Sequence, residues 1–325
     1  MGADKKLFLG IDIGGTNTKV GVFDPHGELL GFAEGDTPAE GGVEAEMGLL
    51  GEIFDFLQVS PEQFCAIGVG VPGPVDKDGV AHSPPNLKGW GVVDLGKVLS
   101  EYLNFPREKI AIGNDANFAA LAEYEFGRGR GADPMVMLTL GTGVGGAVVI
   151  NGELLTGRDG FAAELGHIVI DPDGPRCSCG RRGCAEALIS HTGIVRTAWS
   201  VLERDKGSII WSMIEGQFGE LSPEVVQEAA EAGDPAANKI LNITARHLGT
   251  LLADLVNIFN PERIVIGGGI SRWGKALLEP AEKFMRRQAL KHLAERVSVV
   301  RAKFYKKAGV IGAAAAAMRI HQRAK

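Results

Sequence analysis

The segment from Glu164 to Glu186, ELGHIVIDPDGPRCSCGRRGCAE, carries the densest set of possible metal ligands in the chain. Cys177, Cys179 and Cys184 fall within eight residues, and the glycines between them permit a tight turn that directs the three sulfur atoms inward. Three thiolates and one imidazole form the closed tetrahedral shell of a structural zinc site, and His167 is the nearest candidate for the fourth ligand. This spacing predicts a zinc ion held by His167, Cys177, Cys179 and Cys184.

Two other states of these cysteines stay open at the sequence level: a disulfide between two of them, or three unconnected thiols. The odd number in the cluster favours the metal. Asp12 interrupts the apolar run at the N-terminus where a signal peptide would need to continue, so a soluble protein in the reducing cytoplasm is expected, where disulfides are rare. The fourth cysteine, Cys65, stands in the apolar run CAIGVGV and is interpreted as a small core residue.

Two glutamates flank the predicted zinc ligands. Glu164 comes three residues before His167, and Glu186 comes two residues after Cys184. A metal that holds this loop also holds both carboxylates, which could then accept hydrogen bonds from the paired hydroxyls of a sugar. The alternative is that both are solvated loop residues, the usual state of a glutamate.

Glycine-rich turns follow three predicted strands, and their exposed N–H groups could bind phosphate. They are Asp12 to Lys19, Gly141 to Gly146, and Gly267 to Gly269, with hydroxyl donors at Thr16 and Thr142. Each could also be an ordinary turn. A dinucleotide site is disfavoured because neither GxGxxG match opens a helix, and the chain contains no P-loop motif.

Asp115 comes directly after the predicted strand Lys109–Gly113 and opens a predicted helix that extends to Phe126. In this position it could serve only as the N-cap of that helix. It could equally be a general base at the carboxyl end of a strand, with Asn114 binding a neighbouring hydroxyl group of the substrate.

The spacing of apolar residues predicts strands and helices that alternate along the chain, which is typical of an α/β protein. The net charge of −6 argues against a nucleic-acid or anionic-membrane surface. GIDIGGTNTKVGVFDPHGELL and MLTLGTGVGGAVVINGELL share the layout of strand, glycine turn and strand, which indicates an internal duplication and two similar lobes facing a cleft. The expected division is residues 1–126, then 127–307 with the zinc loop, and a C-terminal helix at about 308–325 that returns to the first lobe.

The motifs DIGGTNTK, VPGPVD, GNDAN, GTGVGG, ELGH, CSCGRRGC and IVIGGGI occur in this order along nearly the whole chain. With them the chain resembles the ROK family of sugar kinases and sugar-responsive repressors, and within it the bacterial glucokinases. The resemblance implies a two-lobed, actin-like and ribonuclease H-like ATPase fold with mixed sheets and a central cleft. It also implies ATP-dependent phosphorylation of a hexose at its 6-hydroxyl, with glucose as the expected substrate, and a homodimer or homotetramer.

The resemblance assigns roles to individual residues. Asp115 would be the catalytic base. The other expected sugar-binding residues are Gly73, Asn86, Asn114, Glu164, His167 and Glu186. The expected nucleotide-binding residues are Asp12, which would also orient Mg²⁺, and Gly14, Gly15, Thr16, Lys19, Gly141, Thr142, Gly143, Gly268 and Gly269. His167 would use one ring nitrogen for zinc and the other for sugar.

One residue departs from the family pattern, because Ala163 stands before ELGH where the family has glycine. This difference could narrow the sugar pocket or shift Glu164.

Three alternatives to a glucokinase are considered: a kinase for mannose, fructose or an N-acetylhexosamine, a sugar-sensing repressor, and an actin-like filament protein. The repressor is disfavoured by the eleven residues before Asp12, too few for a DNA-reading domain.

Overall fold

The computed structural model describes residues 6–325, and the first five residues of the predicted first lobe lie outside this range. The chain divides into two compact units. The first contains the residues up to Gly131, Glu153–Ala163 and Lys303–Lys325, and the second contains Ala132–Gly152 and Glu164–Ala302. The sequence-based division did not include the return of Glu153–Ala163 to the first unit, since no change in composition marks that segment.

The first unit is built on a mixed β-sheet. Its strands, in chain order, are β1 (Leu7–Ile13), β2 (Asn17–Phe23), β3 (Leu29–Asp36), β4 (Phe64–Val71), β5 (Val80–His82), β6 (Val92–Asp94) and β7 (Ile110–Asn114). Five of them form the sheet, in the order β3-β2-β1-β4-β7, and β5 pairs with β6 separately. The pairs β1–β2 and β2–β3 are antiparallel, so the sheet begins with three antiparallel strands.

A second five-stranded sheet repeats this arrangement. Its strands are β8 (Met135–Leu140), β9 (Val144–Ile150), β10 (Glu153–Leu154), β11 (Arg263–Gly267) and β12 (Ser298–Arg301). The order is β10-β9-β8-β11-β12, so that in both sheets the third, second, first, fourth and fifth strands in sequence lie side by side. β8 and β9 form an antiparallel hairpin, as β1 and β2 do, whereas β8, β11 and β12 run parallel. The common topology is the structural form of the internal duplication indicated by the sequence.

Helices and short 3₁₀ segments account for much of the remaining chain. The α-helices are α1 (Gly42–Leu57), α2 (Leu95–Leu103), α3 (Asp115–Phe126), α4 (Ala185–Ile189), α5 (His191–Leu202), α6 (Ile210–Met213), α7 (Pro223–Glu231), α8 (Pro235–Phe259), α9 (Lys275–Gln288), α10 (Lys291–Ala294) and α11 (Ala308–Arg323). The 3₁₀ segments are Pro61–Gln63, Arg107–Lys109, Leu165–His167, Phe218–Glu220 and Gly269–Trp273. Within residues 6–325 we find no helix with the length and apolar character needed to cross a bilayer.

Helix α8 illustrates how well terminal signals define a long helix. Asp234 accepts a hydrogen bond from the backbone N–H of Ala237 (2.7 Å), Pro235 occupies the first turn, and Asn260 ends the helix in the left-handed conformation. The proline-rich segment 72–90 contains one short strand, β5, whose three residues stand between prolines.

Helix α11 packs directly on the first sheet because both surfaces are made of very small residues. Methyl groups on Gly10 of β1 and on Gly68 of β4 would lie only 2.1 Å from the Val310 carbonyl oxygen and 1.8 Å from the Ala313 carbonyl oxygen. The run of alanines in α11 is buried in this contact. The apolar C-terminal run therefore serves as a core helix that brings the start of α11 to the carboxyl end of β1.

Candidate active site

The glycine turn between β1 and β2 is closed by a hydrogen bond from the Gly14 N–H to the carbonyl of Asn17 (3.0 Å). Gly15 packs against Asn86, since a methyl group on Gly15 would lie 2.6 Å from the Cβ atom of Asn86. Two residues that were assigned to different substrates, Gly15 to the nucleotide and Asn86 to the sugar, are therefore neighbours in the first unit. Thr16 is exposed beside them.

Asp12 lies at the end of β1 and faces the first turn of α11. Its Oδ2 atom is 3.8 Å from the Nζ atom of Lys19, and a methyl group on Gly309 would lie 2.4 Å from its carboxyl carbon. Burial raises the pKa of Asp12, and the positive charge of Lys19 opposes this shift. A partly desolvated carboxylate of this kind suits a hard cation such as Mg²⁺. Gly309 was missed at the sequence level because only its contact with a residue far away in the chain makes it special.

The structure separates the roles of Asn114 and Asp115. Asn114 is the N-cap of α3, and its Oδ1 atom accepts from the N–H groups of Ala116 (2.9 Å) and Asn117 (3.2 Å). The alternative that Asp115 is only the N-cap is therefore wrong. Asp115 occupies the next position, where its Oδ1 atom accepts from Ala116 (2.8 Å) and the residue is exposed.

The carboxyl group of Asp115 has a raised pKa. Loss of hydration among the surrounding protein atoms raises its pKa to about 6, although part of the residue is open to solvent, and the negative charge of Asp12 adds to the shift. A carboxylate with a pKa near neutrality is well matched to accepting a proton from a hydroxyl group.

The side-chain NH₂ group of Asn114 contacts the loop that contains Gly73. Its Nδ2 atom donates to the Gly73 carbonyl oxygen (2.9 Å), and Gly73 has a positive φ of 83°. A methyl group on Gly73 would lie 2.8 Å from the Cδ atom of Pro85. Asn114 therefore already uses its oxygen and one of its two amide hydrogens, and only the second hydrogen is available to a sugar.

The predicted zinc ligands converge in the second unit. The ligand atoms of His167, Cys177, Cys179 and Cys184 all lie within 4.8 Å of one another. Cys177 Sγ is 3.6 Å from His167 Nδ1, and Cys179 Sγ is 3.6 Å from Cys184 Sγ. A tetrahedral zinc ion with Zn–S bonds of about 2.3 Å requires ligand separations of about 3.7 Å. The four residues therefore fit zinc, and the cysteines are free rather than paired in a disulfide.

The backbone of the zinc loop is shaped by two glycines with positive φ, 89° at Gly180 and 69° at Gly183. The N–H of Cys177 donates to the Arg181 carbonyl (2.8 Å), and the N–H of Gly180 donates to the Cys177 carbonyl (3.0 Å). A side chain at Gly183 would overlap the carbonyl oxygen of Asp171. These constraints turn the three sulfur atoms to the same side, as the sequence predicted.

Glu186 connects this loop to the glycine turn between β8 and β9. Its Oε2 atom accepts from the Val144 N–H (3.1 Å), and its Oε1 atom accepts from the Ser178 hydroxyl (3.2 Å). Gly143 lies close to this carboxylate, because a methyl group there would lie 2.6 Å from Oε2 and would displace the Glu186 side chain. The carboxylate thus has a structural function that the sequence did not reveal. Oε1 also lies 3.7 Å from the Cys177 Sγ atom, whereas Oε2 keeps one lone pair for a ligand.

Two more of the predicted sugar-binding residues, Glu164 and His167, lie at the 3₁₀ segment Leu165–His167. The Nδ1 atom of His167 faces Cys177, which leaves the Nε2 edge of the ring for another partner. Glu164 is exposed at the start of this segment. Ala163, directly before Glu164, has a φ of 69°, in the left-handed region that residues other than glycine rarely adopt. The glycine of the family pattern therefore has a conformational reason, and Ala163 is strained.

We expect Ala163→Gly to stabilise the protein. Relief of the left-handed strain, about 1–2 kcal/mol, exceeds the extra entropy that glycine gains in the unfolded chain, about 0.4–1 kcal/mol. Urea titration should show a higher midpoint for this variant. Ala162→Gly is the matched control, because Ala162 has no positive φ and its replacement should lower the midpoint. A lower midpoint for Ala163→Gly as well would contradict the strain.

Two further glycine turns lie in the second unit. The Gly141 carbonyl accepts the N–H of His191 at the start of α5 (2.9 Å), and Thr142 is exposed beside it. Gly268 has a φ of 81°, and a methyl group there would lie 2.3 Å from the carbonyl oxygen of Leu140. Gly269 begins the 3₁₀ segment that follows. The ends of β8 and β11 are thus packed together at these glycines.

Comparison with known proteins gives consistent matches over most of the chain. A model of the ROK family matches residues 8–320. A glucokinase from Thermotoga maritima is 38% identical over 312 residues, which cover 95% of this chain and 96% of the relative. The DNA-binding transcriptional dual regulator NagC of Escherichia coli is 30% identical over 90% of this chain and 71% of its own length.

A solved structure agrees with these matches. The ROK family glucokinase from Streptomyces griseus, crystallised with glucose and AMPPNP, has a TM-score of 0.79 and 34% identity, over 95% of this chain and 98% of that one. Its fold confirms the α/β, actin-like architecture expected from the sequence motifs. With a family model that spans nearly the whole sequence and relatives similar along their length, this chain belongs to the ROK family.

Proposed function

We propose that this protein is a sugar kinase that transfers the γ-phosphoryl group of ATP to the 6-hydroxyl group of a hexose, with glucose as the first candidate. The observation that carries the proposal is the carboxylate of Asp115, which is not needed as the cap of α3 and has a pKa near 6. The ROK family glucokinase from Streptomyces griseus was crystallised with glucose and AMPPNP, which supports glucose and ATP as the substrates here.

In the proposed reaction, Asp115 accepts the proton of the sugar 6-hydroxyl as that oxygen bonds to the γ-phosphorus atom. The bond between this phosphorus and the oxygen that bridges it to the β-phosphate breaks, so that ADP leaves with the electron pair. Asp12 would hold the Mg²⁺ that accompanies ATP, and that ion supplies neutralisation of the phosphate charge. The protein contributes chiefly position and charge.

The phosphates would be bound by backbone N–H groups of the glycine turns. In the first unit these are Gly15 and Thr16, because the Gly14 N–H is already used within the turn; Lys19 adds positive charge. Thr142 and its neighbouring glycines would serve in the second unit, and Gly268 and Gly269 would lie against adenosine. Each turn ends a buried strand, which keeps it rigid.

Two groups of side chains are the proposed contacts of the hexose. Asn86 and the free Nδ2 hydrogen of Asn114 are the proposed contacts beside Asp115, near Gly73. Glu164, Glu186 and the Nε2 atom of His167 are those of the zinc loop, where zinc would supply rigidity by fixing the imidazole. A reducing cytoplasm would keep the three thiols available to that metal.

The deciding experiment is an initial-rate assay of ADP formation with ATP and a panel of hexoses: glucose, mannose, fructose and N-acetylated hexosamines. We expect glucose to give the highest kcat/KM. Similarity to NagC favours one second candidate, a sugar-responsive regulator. Sugar binding detected by calorimetry without ADP formation from any hexose would support that candidate and reject the kinase.

We expect Glu164→Gln to raise the KM for the hexose with little change in the KM for ATP, because its proposed contacts are to sugar hydroxyls. A hydrogen bond to a charged acceptor contributes about 1.5–3 kcal/mol, which corresponds to a rise of about tenfold or more. Glu203→Gln, at an exposed site after α5, is the control and should leave both constants unchanged. Equal effects of Glu164→Gln on both substrates would contradict its assignment to the sugar.

A further inference from the structure

Glu46 of α1 is a completely buried acidic residue, and among residues 6–325 its hydrogen-bond network contains no basic partner. Its side chain and that of Thr18 in β2 both have zero solvent exposure, and the Thr18 hydroxyl oxygen is 2.6 Å from Glu46 Oε1. The other carboxyl oxygen, Oε2, is buried and has no hydrogen-bond partner among residues 6–325. An ionised carboxylate with one bare oxygen in such a site would be strongly destabilised.

From Glu46 a chain of contacts leads to the glycine turn between β1 and β2. The Thr18 hydroxyl oxygen is 3.1 Å from that of Thr37, and the Thr37 hydroxyl donates to the carbonyl oxygen of Gly14 (2.7 Å). The backbone N–H of Thr37 also donates to the carbonyl of Thr16 (2.9 Å). Thr37 therefore holds two carbonyl groups of the turn whose N–H groups are proposed to bind phosphate.

A count of hydrogens indicates which state of Glu46 would give every contact in this chain a hydrogen. Three contacts link Glu46 to Thr18, Thr18 to Thr37, and Thr37 to Gly14, but the two threonines supply only two hydroxyl hydrogens. If Glu46 is ionised and accepts from Thr18, the contact between the two threonines has no hydrogen. A protonated Glu46 completes the series, because each group then donates once in the direction of Gly14.

We propose that Glu46 is a neutral carboxylic acid that positions the Gly14–Thr16 turn for nucleotide binding by donating its proton through Thr18 and Thr37 to the Gly14 carbonyl. The part that concerns the nucleotide rests on the proposed kinase function. Burial of the carboxyl group, opposed by its contact with Thr18, raises the pKa of Glu46 and so acts in the same direction. Glu46 touches no substrate and is a positioning residue.

The kinetic test compares substitutions that keep or remove the donor. Glu46→Gln retains an N–H donor of the same shape, so the KM for ATP should stay within about twofold of that of the unaltered protein. Glu46→Met and Thr18→Val interrupt the chain and should raise this KM about tenfold, with little change in the KM for hexose. Glu46→Met should also not lower the unfolding midpoint, since it removes a buried polar group. A purely structural role would lower stability without this separation of the two constants.

The proton itself can be observed without any substrate. The infrared difference spectrum between the unaltered protein and Glu46→Gln at pH 8 should contain the C=O band of a protonated carboxyl group. The absence of this band, or an equal rise in the KM for ATP in Glu46→Gln and Glu46→Met, would overturn the neutral state. Unchanged nucleotide affinity in Glu46→Met and Thr18→Val, measured with AMPPNP by calorimetry, would overturn the positioning role. If the protein is not a kinase, the infrared band still decides the state of Glu46.

Discussion

Asp115→Asn should lower kcat by about 10²- to 10⁴-fold, the range that a general base contributes. The substitution keeps the size of the side chain and an oxygen that can accept from the Ala116 N–H, so α3 should be unaffected. The cap of α3 also remains, because it belongs to Asn114. What is lost is the group that takes the proton of the attacking hydroxyl. Initial rates of ADP formation at saturating ATP and hexose measure this effect.

The control for this variant is Asp55→Asn, the same replacement at an exposed position of α1, which should retain full activity. The thermal unfolding midpoint of Asp115→Asn should be at least that of the unaltered protein, because a neutral amide relieves the repulsion by Asp12. Full activity of Asp115→Asn with every accepted hexose would show that another group takes the proton. A loss of activity explained by a lower midpoint would likewise contradict a catalytic role.

The same carboxyl group predicts the acid limb of the pH profile. Its pKa is raised to about 6 by loss of hydration and by the charge of Asp12, and the base acts only when ionised. Below about pH 6, kcat/KM should therefore fall tenfold for each unit of pH, and above it the profile should level off. An acid limb centred near pH 4 would indicate an ordinary, solvated carboxylate.

Local patterns in the sequence predicted the parts of this site that are local in the chain. The predicted zinc ligands converge because His167 stands only ten positions before Cys177 and the glycines between the cysteines admit one compact turn. The helix that starts at Asp115 was predicted for the same reason, since helix starts and turns depend on nearest neighbours. The repeated layout of strand, turn and strand indicated an internal duplication, and the two sheets have the same strand order.

Features that depend on contacts between distant segments were not predictable in this way. Glu46 has the pattern of an ordinary helix residue, and only the fold places it on Thr18, 28 residues earlier. Gly309 looks like any other glycine until Asp12 is placed beside it, and the motif that contains Gly143 does not reveal its contact with Glu186. The strain at Ala163 was visible only as a departure from a motif, and the left-handed φ supplies its physical cause. Each case requires coordinates because the partner is far away in sequence.

The two carboxyl oxygens of Glu186 link the zinc loop to the glycine turn between β8 and β9, a contact that the sequence motif does not reveal. One carboxyl oxygen holds the N–H of Val144 in the glycine turn of β8 and β9, and the other holds Ser178 between two zinc ligands. A change in the metal loop is therefore transmitted to the turn as well as to the proposed sugar contacts. Sugar affinity should respond most, because His167 is both a predicted zinc ligand and a proposed sugar ligand.

Cys179→Ser should abolish zinc binding and with it the affinity for hexose. The unaltered protein is expected to contain about one zinc per chain after desalting. Serine is a poor zinc ligand, and since Cys179 is exposed its replacement leaves no cavity in the core. Loss of a structural zinc removes most of the free energy that orders such a loop, about 10–16 kcal/mol in model sites. Metal analysis and calorimetric titration with glucose measure the two effects.

Cys65→Ser is the matched control, because Cys65 stands in β4 of the first unit, outside the metal cluster. It should retain zinc and glucose affinity, which separates the loss of a ligand from the loss of a thiol. Treatment of the unaltered protein with a chelator should reproduce the behaviour of Cys179→Ser, and added zinc should restore the unaltered protein but not the variant. Zinc retained at one per chain in Cys179→Ser would reject this ligand set. Unchanged glucose affinity after removal of zinc would show that the metal loop does not position the sugar-binding carboxylates.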